Sequence, residues 1–356
     1  MRRGSNLNPP NRFETTRLDL CLDQLADDDD WLDQQSRRPV EFLEDRTESI
    51  VSANNSPDIP FSYSVNPYRG CMHGCSYCYA RNSHELLGLN AGEDFETKIV
   101  VKRNAPELLR KFLRRPVWNG DELISFSGVT DCYQPIERQL KLTRGCLGVC
   151  REHGQAIGII TKNRLVCRDI DVLAPMAEKR LARVWLSITS LDRDLIGVME
   201  PGTSRPEGRL RAIRELSEAG IPCGVMVAPV IPGLNDHEIA SILKAASEAG
   251  AKYAGFTLLR LPMTVRPVFE EWLNKHFPDR ASKILGRVRQ TREGELTSPQ
   301  FHDRMRGTGE LAEQVAKIFS TFRTRYGLDT KPVTHDSTHF VSRPDDGRQM
   351  HLPFGQ

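Results

Sequence analysis

The sequence predicts an α/β fold built on a parallel sheet, and two observations support that prediction. From about Phe61 to Pro262, short apolar runs alternate with longer amphipathic stretches, which is the pattern of repeated strand–helix units. Two amphipathic stretches are followed at once by Gly220 and Gly250, where a helix C-terminus favours glycine. About six such units, joined by right-handed crossovers, would bring the strand C-termini to one edge, where α/β folds gather their chemistry.

The individual elements follow from this alternation. Tyr63–Asn66 leads into a cysteine-rich loop. Five apolar runs are predicted as strands: Leu123–Ser127, Ala156–Thr161, Arg183–Ile188, Cys223–Ala228 and Tyr253–Leu259. Four amphipathic stretches are predicted as the helices between them: Glu137–His153, Asp169–Lys179, Pro206–Ala219 and His237–Ala249. After Pro262 the pattern is helical, over Phe269–Phe277, Ala281–Arg292 and Glu310–Tyr326.

The chain of 356 residues, 39% of them hydrophobic, is long enough for one large α/β domain with appendages or for two ordinary domains. We expect an N-terminal region at 1–60, a core at 61–265 and a helical C-terminal extension at 266–356 that packs on or caps the sheet. The first region contains the run Asp27–Asp30, and dense like charge is usually solvated and flexible. Alternatively, this acidic arm covers the site or contacts a partner.

Composition and termini narrow the class of protein. No apolar run approaches the ~18 residues of a membrane span, and Met1–Pro10 lacks a secretory signal, so we expect a cytoplasmic location and no membrane contact. Nine cysteines are an odd number and too clustered for a secreted disulfide framework. The net charge of +2 supplies no electrostatic footprint for nucleic acid, although it does not exclude one.

The loop Cys71–Cys78 carries three cysteines in the spacing C-x3-C-x2-C. Three thiolates this close can hold three corners of an iron–sulfur cube and leave the fourth iron free to bind another molecule. Gly70 and Gly74 allow the unusual φ values that such wrapping needs. One alternative is a structural zinc site with a fourth ligand such as His73, although zinc sites usually pair two C-x2-C units and no second pair is present at that spacing. Another is a set of unliganded structural cysteines.

With Tyr77 at the aromatic position before the third cysteine, this loop resembles the signature of the radical S-adenosylmethionine (radical SAM) superfamily. The resemblance implies a partial (β/α)6 TIM-like barrel. It also implies a [4Fe-4S] cluster on Cys71, Cys75 and Cys78, with SAM bound to the fourth iron and Tyr77 in the cofactor-binding set. A reductant such as flavodoxin or ferredoxin would supply the electron that cleaves SAM to methionine and a hydrogen-abstracting 5′-deoxyadenosyl radical.

Further segments, in the order of the barrel strands, are similar to the spore photoproduct lyase-like, photolyase-related radical SAM proteins. They are Gly70–Tyr79, Val129–Asp131, Ile160–Lys162, Trp185–Ser190, Glu200–Ser204, Gly208–Leu210 and Val227–Pro229. The match implies that Thr130 and Asp131 approach the amino group of SAM. Lys162 would face its carboxylate, Ser187 the carboxylate or ribose, and Val230–Asp236 the adenine.

The residues themselves give Lys162 a reason to have an anionic partner, since an isolated buried ammonium is costly. The alternatives are a lysine at the surface and a Ser187 that only satisfies backbone groups.

The sequence departs from this family at Gly128, three residues before the shared Asp131, where the family has a hydrogen-donating cysteine. Cys132 could substitute, or could be an ordinary semi-buried cysteine. Tyr79, directly after Cys78, matches a tyrosine implicated in radical return, with simple packing beside the cluster as the alternative. DNA photoproduct repair is therefore open as a function, but these residues do not establish it.

The remaining candidates are weaker. Cys146, Cys150 and Cys167 are expected to be buried thiols rather than a second cluster. The tail arginines are expected to form a solvated face, with phosphate contact as the alternative, and the tail histidines are too scattered for a site. These are Arg287, Arg289, Arg292, Arg304 and Arg306, and His335, His339 and His351.

Three hypotheses result: a radical SAM enzyme with an unidentified substrate, a nucleic-acid lesion repair lyase with DNA as substrate, and a non-catalytic zinc or iron–sulfur binding module. The third leaves Lys162 and the pair Thr130–Asp131 at predicted strand ends unexplained.

Overall fold

The computed structural model describes residues 3–5, 7–14, 39–332 and 334–344. Ten strands and thirteen α-helices lie in these ranges. The strands are β1 (Glu41–Glu44), β2 (Val51–Ala53), β3 (Tyr63–Val65), β4 (Tyr68–Arg69), β5 (Lys98–Val101), β6 (Ile124–Phe126), β7 (Ile157–Thr161), β8 (Ala182–Ser187), β9 (Cys223–Val230) and β10 (Tyr253–Leu258). The helices are α1 (Asn82–Glu85), α2 (Glu93–Thr97), α3 (Ala105–Leu113), α4 (Glu137–Leu140), α5 (Leu142–His153), α6 (Ile170–Glu178), α7 (Arg193–Met199), α8 (Pro206–Glu218), α9 (Ile239–Glu248), α10 (Val265–His276), α11 (Pro278–Gln290), α12 (Asp303–Arg306) and α13 (Glu310–Arg325).

The main sheet has seven strands in the order β10-β9-β8-β7-β6-β3-β2. Strands β3 and β6 to β10 pair in parallel, and β2 pairs antiparallel with β3 at one edge. The parallel strands follow chain order and helices connect them, so the sheet has the architecture of a partial (β/α)6 barrel, open between its two edges. The predicted α/β fold is confirmed.

One predicted helix is divided in two. The stretch Glu137–His153 forms α4 and α5, separated at Lys141, whose φ of 54° is left-handed. The Glu137 carboxylate explains where the second helix begins, because it accepts the backbone N–H of Thr143 at 3.0 Å and that of Arg144 at 3.3 Å. A buried acid thus caps α5 in place of the usual Ser or Asp.

The acidic run Asp27–Asp30 lies outside the described residues. The described parts of region 1–60 carry regular contacts: β1 pairs with β5, and β2 joins the main sheet. Residues 3–5 and 7–14 pack against the cysteine-rich part of the chain. The backbone N–H of Gly4 donates to Glu96 Oε2 at 3.0 Å, and Asn11 Nδ2 donates to the carbonyls of Glu85 (3.0 Å) and Leu89 (3.3 Å).

The helices predicted after Pro262 are present as α10, α11 and α13. A second hydrophobic cluster joins Cys75 and Tyr77 to α7, α10 and α11. Trp272 of α10, for example, donates from Nε1 to the carbonyl of Val198 at 2.9 Å. The C-terminal helices therefore support the cysteine loop directly. No helix in the described ranges is both long and apolar enough to cross a bilayer.

Candidate active site

The cysteine loop follows β4 and turns on two glycines with left-handed backbone. The φ angles are 76° at Gly70 and 62° at Gly74. A Cβ at Gly70 would lie 2.9 Å from the carbonyl oxygen of Lys98, so a larger residue would collide with backbone there. The N–H of Cys71 donates to the carbonyl of Phe95 at 2.8 Å, which ties the loop to α2.

Burial and nearby charges determine the protonation of the three loop thiols. Cys71 and Cys75 are buried and Cys78 is partly exposed. Burial raises the pKa of Cys75 well above its usual value, with the Glu200 carboxylate adding to the effect. Burial and the neighbouring Cys71 raise the pKa of Cys78. Thiols held in this environment become thiolates when a cation stabilises them.

In the described part of the chain, no three His, Cys, Asp or Glu side chains converge closely enough to hold one metal ion. The requirement of a cubane is different, because each thiolate binds a separate iron at its own corner.

The fully buried side chain of Arg81 holds the backbone of the cysteine loop in place. Arg81 donates to the carbonyl of Cys75 from Nε (3.1 Å) and Nη2 (2.9 Å), and from Nη1 to the carbonyls of Ala91 (3.0 Å) and Gly92 (2.8 Å). Its charge is paired with Glu96 at 2.5 Å, which also accepts the N–H of Gly4. Such a guanidinium fixes the middle cysteine by backbone contacts alone.

His73 and Asp131 connect the loop to the ends of β6 and β7. His73 Nδ1 lies 3.4 Å from Asp131 Oδ2. Burial alone would lower the pKa of His73, but the carboxylate raises it to about 10, and the pKa of Asp131 falls to about 2 although burial opposes this. Asp131 also accepts from Thr161 Oγ1 and from the backbone N–H of Lys162, both at 2.8 Å. The carboxylate is therefore bonded within the protein.

Thr130 is also bonded inward. It is 2% exposed, and its Oγ1 donates to the carbonyl of Tyr68 at 2.9 Å and accepts from Asn66 Nδ2 at 2.7 Å. Thr130 and Asp131 thus lie at the predicted strand end, with their polar atoms fixing the loop.

Tyr77 is anchored by a buried ion pair. Its hydroxyl donates to Glu200, which accepts from Thr189 Oγ1 at 2.6 Å and pairs with Arg209. Glu200 and Arg209 are both buried. Burial would raise the pKa of Glu200, but Arg209 lowers it to about 2. Arg209 Nη1 donates to the carbonyl of Ser187 at 2.9 Å, so the network links the cysteine loop to β8.

Lys162 and Ser187 reach the same edge of the sheet from β7 and β8. The Nζ of Lys162 lies 5.7 Å from the centre of the Tyr77 ring. Among the described residues this ammonium has no hydrogen-bond or ion-pair partner, although its charge acts on Cys75 and Glu200. Ser187 is 4% exposed. The structure thus brings Lys162 near Tyr77 and Cys75 of the cysteine loop.

Tyr79 lies on the other side of the loop, at the mouth of the barrel. It is 44% exposed, its hydroxyl donates to the carbonyl of Gly128 at 3.0 Å, and the Arg260 guanidinium carbon lies 4.9 Å from its ring centre. A Cβ at Gly128 would lie 2.8 Å from the Cβ of Ser64 and 2.9 Å from its Oγ. A cysteine at this position would therefore require Ser64 to move.

Cys132 is not brought together with these residues. It is fully buried in the main hydrophobic core, its carbonyl accepts from Thr143 Oγ1 at 2.6 Å, and burial raises the pKa of its thiol well above the usual value. Cys146 and Cys150 lie in the same core and Cys167 packs against it, as expected of ordinary buried thiols.

The tail residues are dispersed. Arg292 is buried and donates to the carbonyls of Leu258 and Leu259, while Arg304 pairs with Asp58. Arg287 lines a separate cavity of about 370 Å³ with Arg280. His335 and His339 lie on the surface loops, and His351 is outside the described residues.

Comparison with known proteins decides the family. The radical SAM superfamily profile matches residues 65–246, about half of the chain, from β3 into α9. The chain belongs to the radical SAM superfamily. Radical SAM proteins of this kind are enzymes that use a [4Fe-4S] cluster and SAM.

Two proteins and one solved structure illustrate what this chain is similar to. It is 36% identical over 272 residues to an uncharacterised protein of Mycobacterium tuberculosis, covering 76% of this chain and 77% of that one. It is 25% identical over 227 residues to the radical SAM Nalpha-GlyT isomerase of Pseudomonas phage M6, covering 62% of this chain and 44% of the phage protein. Its fold is similar to that of spore photoproduct lyase complexed with dinucleoside spore photoproduct, with a TM-score of 0.57, 19% identity and coverage of 80% and 79%.

Several residues of this radical SAM site were missed from sequence. Glu200 and Arg209 stood in segments that resembled the family, but only the fold shows that they pair. Arg81 looks like any surface arginine, because nothing in the sequence marks it as buried. Arg260 did carry a signal, since a charged residue that directly follows a buried strand at the C-terminal edge points to the site.

Proposed function

We propose that this radical SAM enzyme holds its [4Fe-4S] cluster on Cys71, Cys75 and Cys78 and uses it to generate a substrate radical by hydrogen abstraction. The observation that carries the proposal is the loop itself. Its three thiols have the C-x3-C-x2-C spacing, buried Arg81 braces it, and Lys162, whose ammonium has no partner among the residues that the structure describes, lies beside Tyr77. When bound, the reduced cluster supplies the electron that cleaves SAM to methionine and a 5′-deoxyadenosyl radical, which takes a hydrogen atom from a substrate C–H bond.

The residues of this chain would then bind and orient the cofactor. We assign the SAM carboxylate to Lys162, because an ammonium at a partly buried strand end gains most from an anionic partner. Ser187, at the end of β8, would contact the carboxylate or ribose. The contacts of Thr130 and Asp131 with the amino group stay a prediction, and their present hydrogen bonds support a role in fixing the loop. The loop Val230–Asp236 would pass near the adenine.

We assign the return of a hydrogen atom to the product radical to Tyr79 rather than to Cys132. Tyr79 directly follows Cys78 and is partly exposed at the mouth, whereas Cys132 has no exposed surface. In this proposal the O–H bond of Tyr79 breaks as its hydrogen atom passes to the product radical, and the tyrosyl radical that remains takes a hydrogen atom back from 5′-deoxyadenosine. Cys132 stabilises the core.

The test is anaerobic reconstitution of the wild type and of Cys71→Ala, Cys75→Ala and Cys78→Ala. We expect the wild type to bind iron, absorb visible light and form 5′-deoxyadenosine from SAM and dithionite, and each variant to lose all three properties. Cys167→Ala, a partly buried thiol outside the loop, is the matched control and should keep them. Zinc in place of iron, or no SAM binding, would support the non-catalytic module instead. Replacing dithionite by a flavodoxin or ferredoxin tests the proposed protein reductant.

A nucleic-acid substrate is a second candidate. Arg304 lies with its guanidinium carbon 4.7 Å from the ring centre of Phe301, which is 52% exposed. An exposed aromatic ring beside arginine is a common platform for a nucleotide base. The similarity to a photoproduct lyase and to a phage isomerase is compatible with this candidate. It predicts salt-dependent DNA binding and faster formation of 5′-deoxyadenosine with lesion DNA, and no binding at low salt would eliminate it.

A further inference from the structure

Arg260 lies just beyond the C-terminal end of β10, separated from it by Leu259, at the edge of the sheet where the cysteine loop also lies. Its guanidinium carbon lies 4.9 Å from the ring centre of Tyr79, and the side chain is only partly exposed. The Tyr79 hydroxyl reaches the carbonyl of Gly128 after β6. Tyr79 therefore contacts both the segment that follows β6 and the arginine beyond β10.

The guanidinium of Arg260 has no partner within the described ranges, either in a hydrogen bond or in an ion pair. An arginine remains charged in proteins and offers five donors, so leaving it partly desolvated and unpaired is costly. Other arginines near this edge are satisfied: Arg304 pairs with Asp58, and Arg292 donates to the carbonyls of Leu258, Leu259 and Asp303. Of these three arginines, only Arg260 has no hydrogen-bond or ion-pair partner in the described ranges.

The charges around Arg260 increase its need for an anion. Burial is the largest effect that lowers its pKa, and Arg304 lowers it further, while Asp58 acts in the opposite direction. Arg260 in turn helps to lower the pKa of Arg292 to about 10, in addition to burial. Arg260 thus lies near two other guanidinium groups, those of Arg304 and Arg292, and near one carboxylate, Asp58, which is already bonded to Arg304. Positive charge is in excess around Arg260.

We propose that Arg260 binds an oxyanion of the substrate, a carboxylate or a phosphate group, and holds the substrate against Tyr79 at the mouth of the barrel. The inference rests on the proposed function, since it places the substrate on the radical-generating side. Arginine suits this role because its planar fork makes two parallel hydrogen bonds to carboxylate or phosphate while its face stacks on an aromatic ring. Lys162 lies beside Tyr77 and is assigned to the cofactor.

The test is equilibrium dialysis of the anaerobically reconstituted protein with radiolabelled inorganic phosphate and, separately, radiolabelled acetate, at constant ionic strength. SAM is present in one series and absent in the other. The variants are Arg260→Gln and Arg260→Lys. The matched control is Arg266→Gln, which removes an exposed arginine whose partner is Glu270 on the same helix.

We expect one of the two anions to bind the wild type and the Arg266→Gln control equally, and Arg260→Gln to bind it about ten- to a hundredfold more weakly, as for the loss of charged hydrogen bonds. Arg260→Lys should restore part of the affinity. The preferred anion identifies the substrate group. No binding to the wild type, or equal binding to Arg260→Gln, would overturn the proposal.

Weaker SAM binding by Arg260→Gln, with oxyanion binding unchanged, would also overturn the proposal and assign Arg260 to the cofactor. Dialysis needs no turnover, so these outcomes are separate from a wild type that fails to cleave SAM.

Discussion

The two sides of the cysteine loop differ in whether their charged side chains have ion-pair partners. On the side toward Tyr77, buried charges are paired: Arg81 with Glu96, Arg209 with Glu200, and His73 with Asp131. On the side toward Tyr79, Arg260 has no partner in the described part of the chain, and the aromatic ring is 44% exposed. On the first side only Lys162 is left without a partner in the described ranges, and it is assigned to the cofactor, whereas Arg260 on the second side is left for a substrate group.

This difference fits the demands of radical chemistry. A cluster loop must keep one geometry through repeated cycles, and preorganised buried pairs achieve that because each is held by several hydrogen bonds. A substrate must enter and leave, so its binding groups stay partly open until it arrives. We therefore expect substitutions on the Tyr77 side to lower stability and substitutions on the Tyr79 side to change what the protein binds.

The largest expected effect is from Arg209→Met. It leaves the buried carboxylate of Glu200 without its partner, which should lower the free energy of unfolding by about 3–5 kcal/mol. The matched control is Arg193→Met, which removes the exposed partner of Glu207 and should cost no more than about 1 kcal/mol. Urea unfolding of both variants measures the difference. Equal losses would show that the Tyr77 side is not held by its buried pair.

The fold was predictable to a large extent, because parallel strands buried on both faces read as continuous apolar runs. The predicted strand Ala156–Thr161, for instance, corresponds to β7, and Tyr253–Leu259 to β10. The division at Lys141 was not predictable, since it depends on the Glu137 carboxylate turning back to cap α5. Strand β1 was also missed, because its pairing with β5 joins residues far apart in sequence and its four residues are all exposed.

Acid should destabilise the loop side through His84. This histidine is fully buried, neither ring nitrogen has a hydrogen-bond partner in the described ranges, and burial lowers its pKa to about 4. The unfolded chain, with an ordinary histidine pKa near ~6.5, binds the proton first. Stability should therefore be fully present above about pH 6.5 and fall by on the order of 3 kcal/mol as pH drops to about 4.

His84→Met should remove this part of the pH dependence, whereas the exposed His339→Gln should leave it unchanged. Unfolding by urea at several pH values between 4 and 7 measures it. A variant that loses stability with acid as steeply as the wild type would exclude His84 as the cause.

A smaller effect is expected from Gly74→Ala. A residue with a side chain pays about 1–2 kcal/mol in left-handed backbone, and the new Cβ would lie 2.9 Å from Glu96 Oε2. We expect less iron per chain after reconstitution and a lower free energy of unfolding by about 2 kcal/mol. In Gly197→Ala, the new Cβ meets nothing within 4 Å, so that helical control should be neutral or up to about 1 kcal/mol more stable. Normal iron content in Gly74→Ala would show that the loop tolerates a different turn.

The residues of the candidate site were predictable where a short sequence motif identifies them. They were not predictable where their role depends on an ion pair between distant parts of the chain. The spacing of Cys71, Cys75 and Cys78 in the sequence is enough to identify them as candidates. Lys162 is identified by its position directly after a predicted strand. Cys132 was a candidate because it adjoins Asp131, yet it lies in a turn beyond β6 and its thiol is buried in the core. The ion pair of Arg209 with Glu200, and the lack of a hydrogen-bond or ion-pair partner for Arg260 in the described ranges, can be seen only in the folded structure.

The smallest expected effect on stability is from Tyr79→Phe. The variant loses one partly exposed hydrogen bond, to the carbonyl of Gly128, and keeps the ring under Arg260, so the free energy of unfolding should change by less than about 1 kcal/mol. Iron content and SAM binding should stay at wild-type values, because the Tyr77 side is untouched. If Tyr79 returns hydrogen at the mouth, product formation should fall while 5′-deoxyadenosine continues to form, so the ratio of product to 5′-deoxyadenosine is the quantity to measure. An unchanged ratio would leave Tyr79 with packing alone, and a loss of iron would show that the two sides of the loop are not independent.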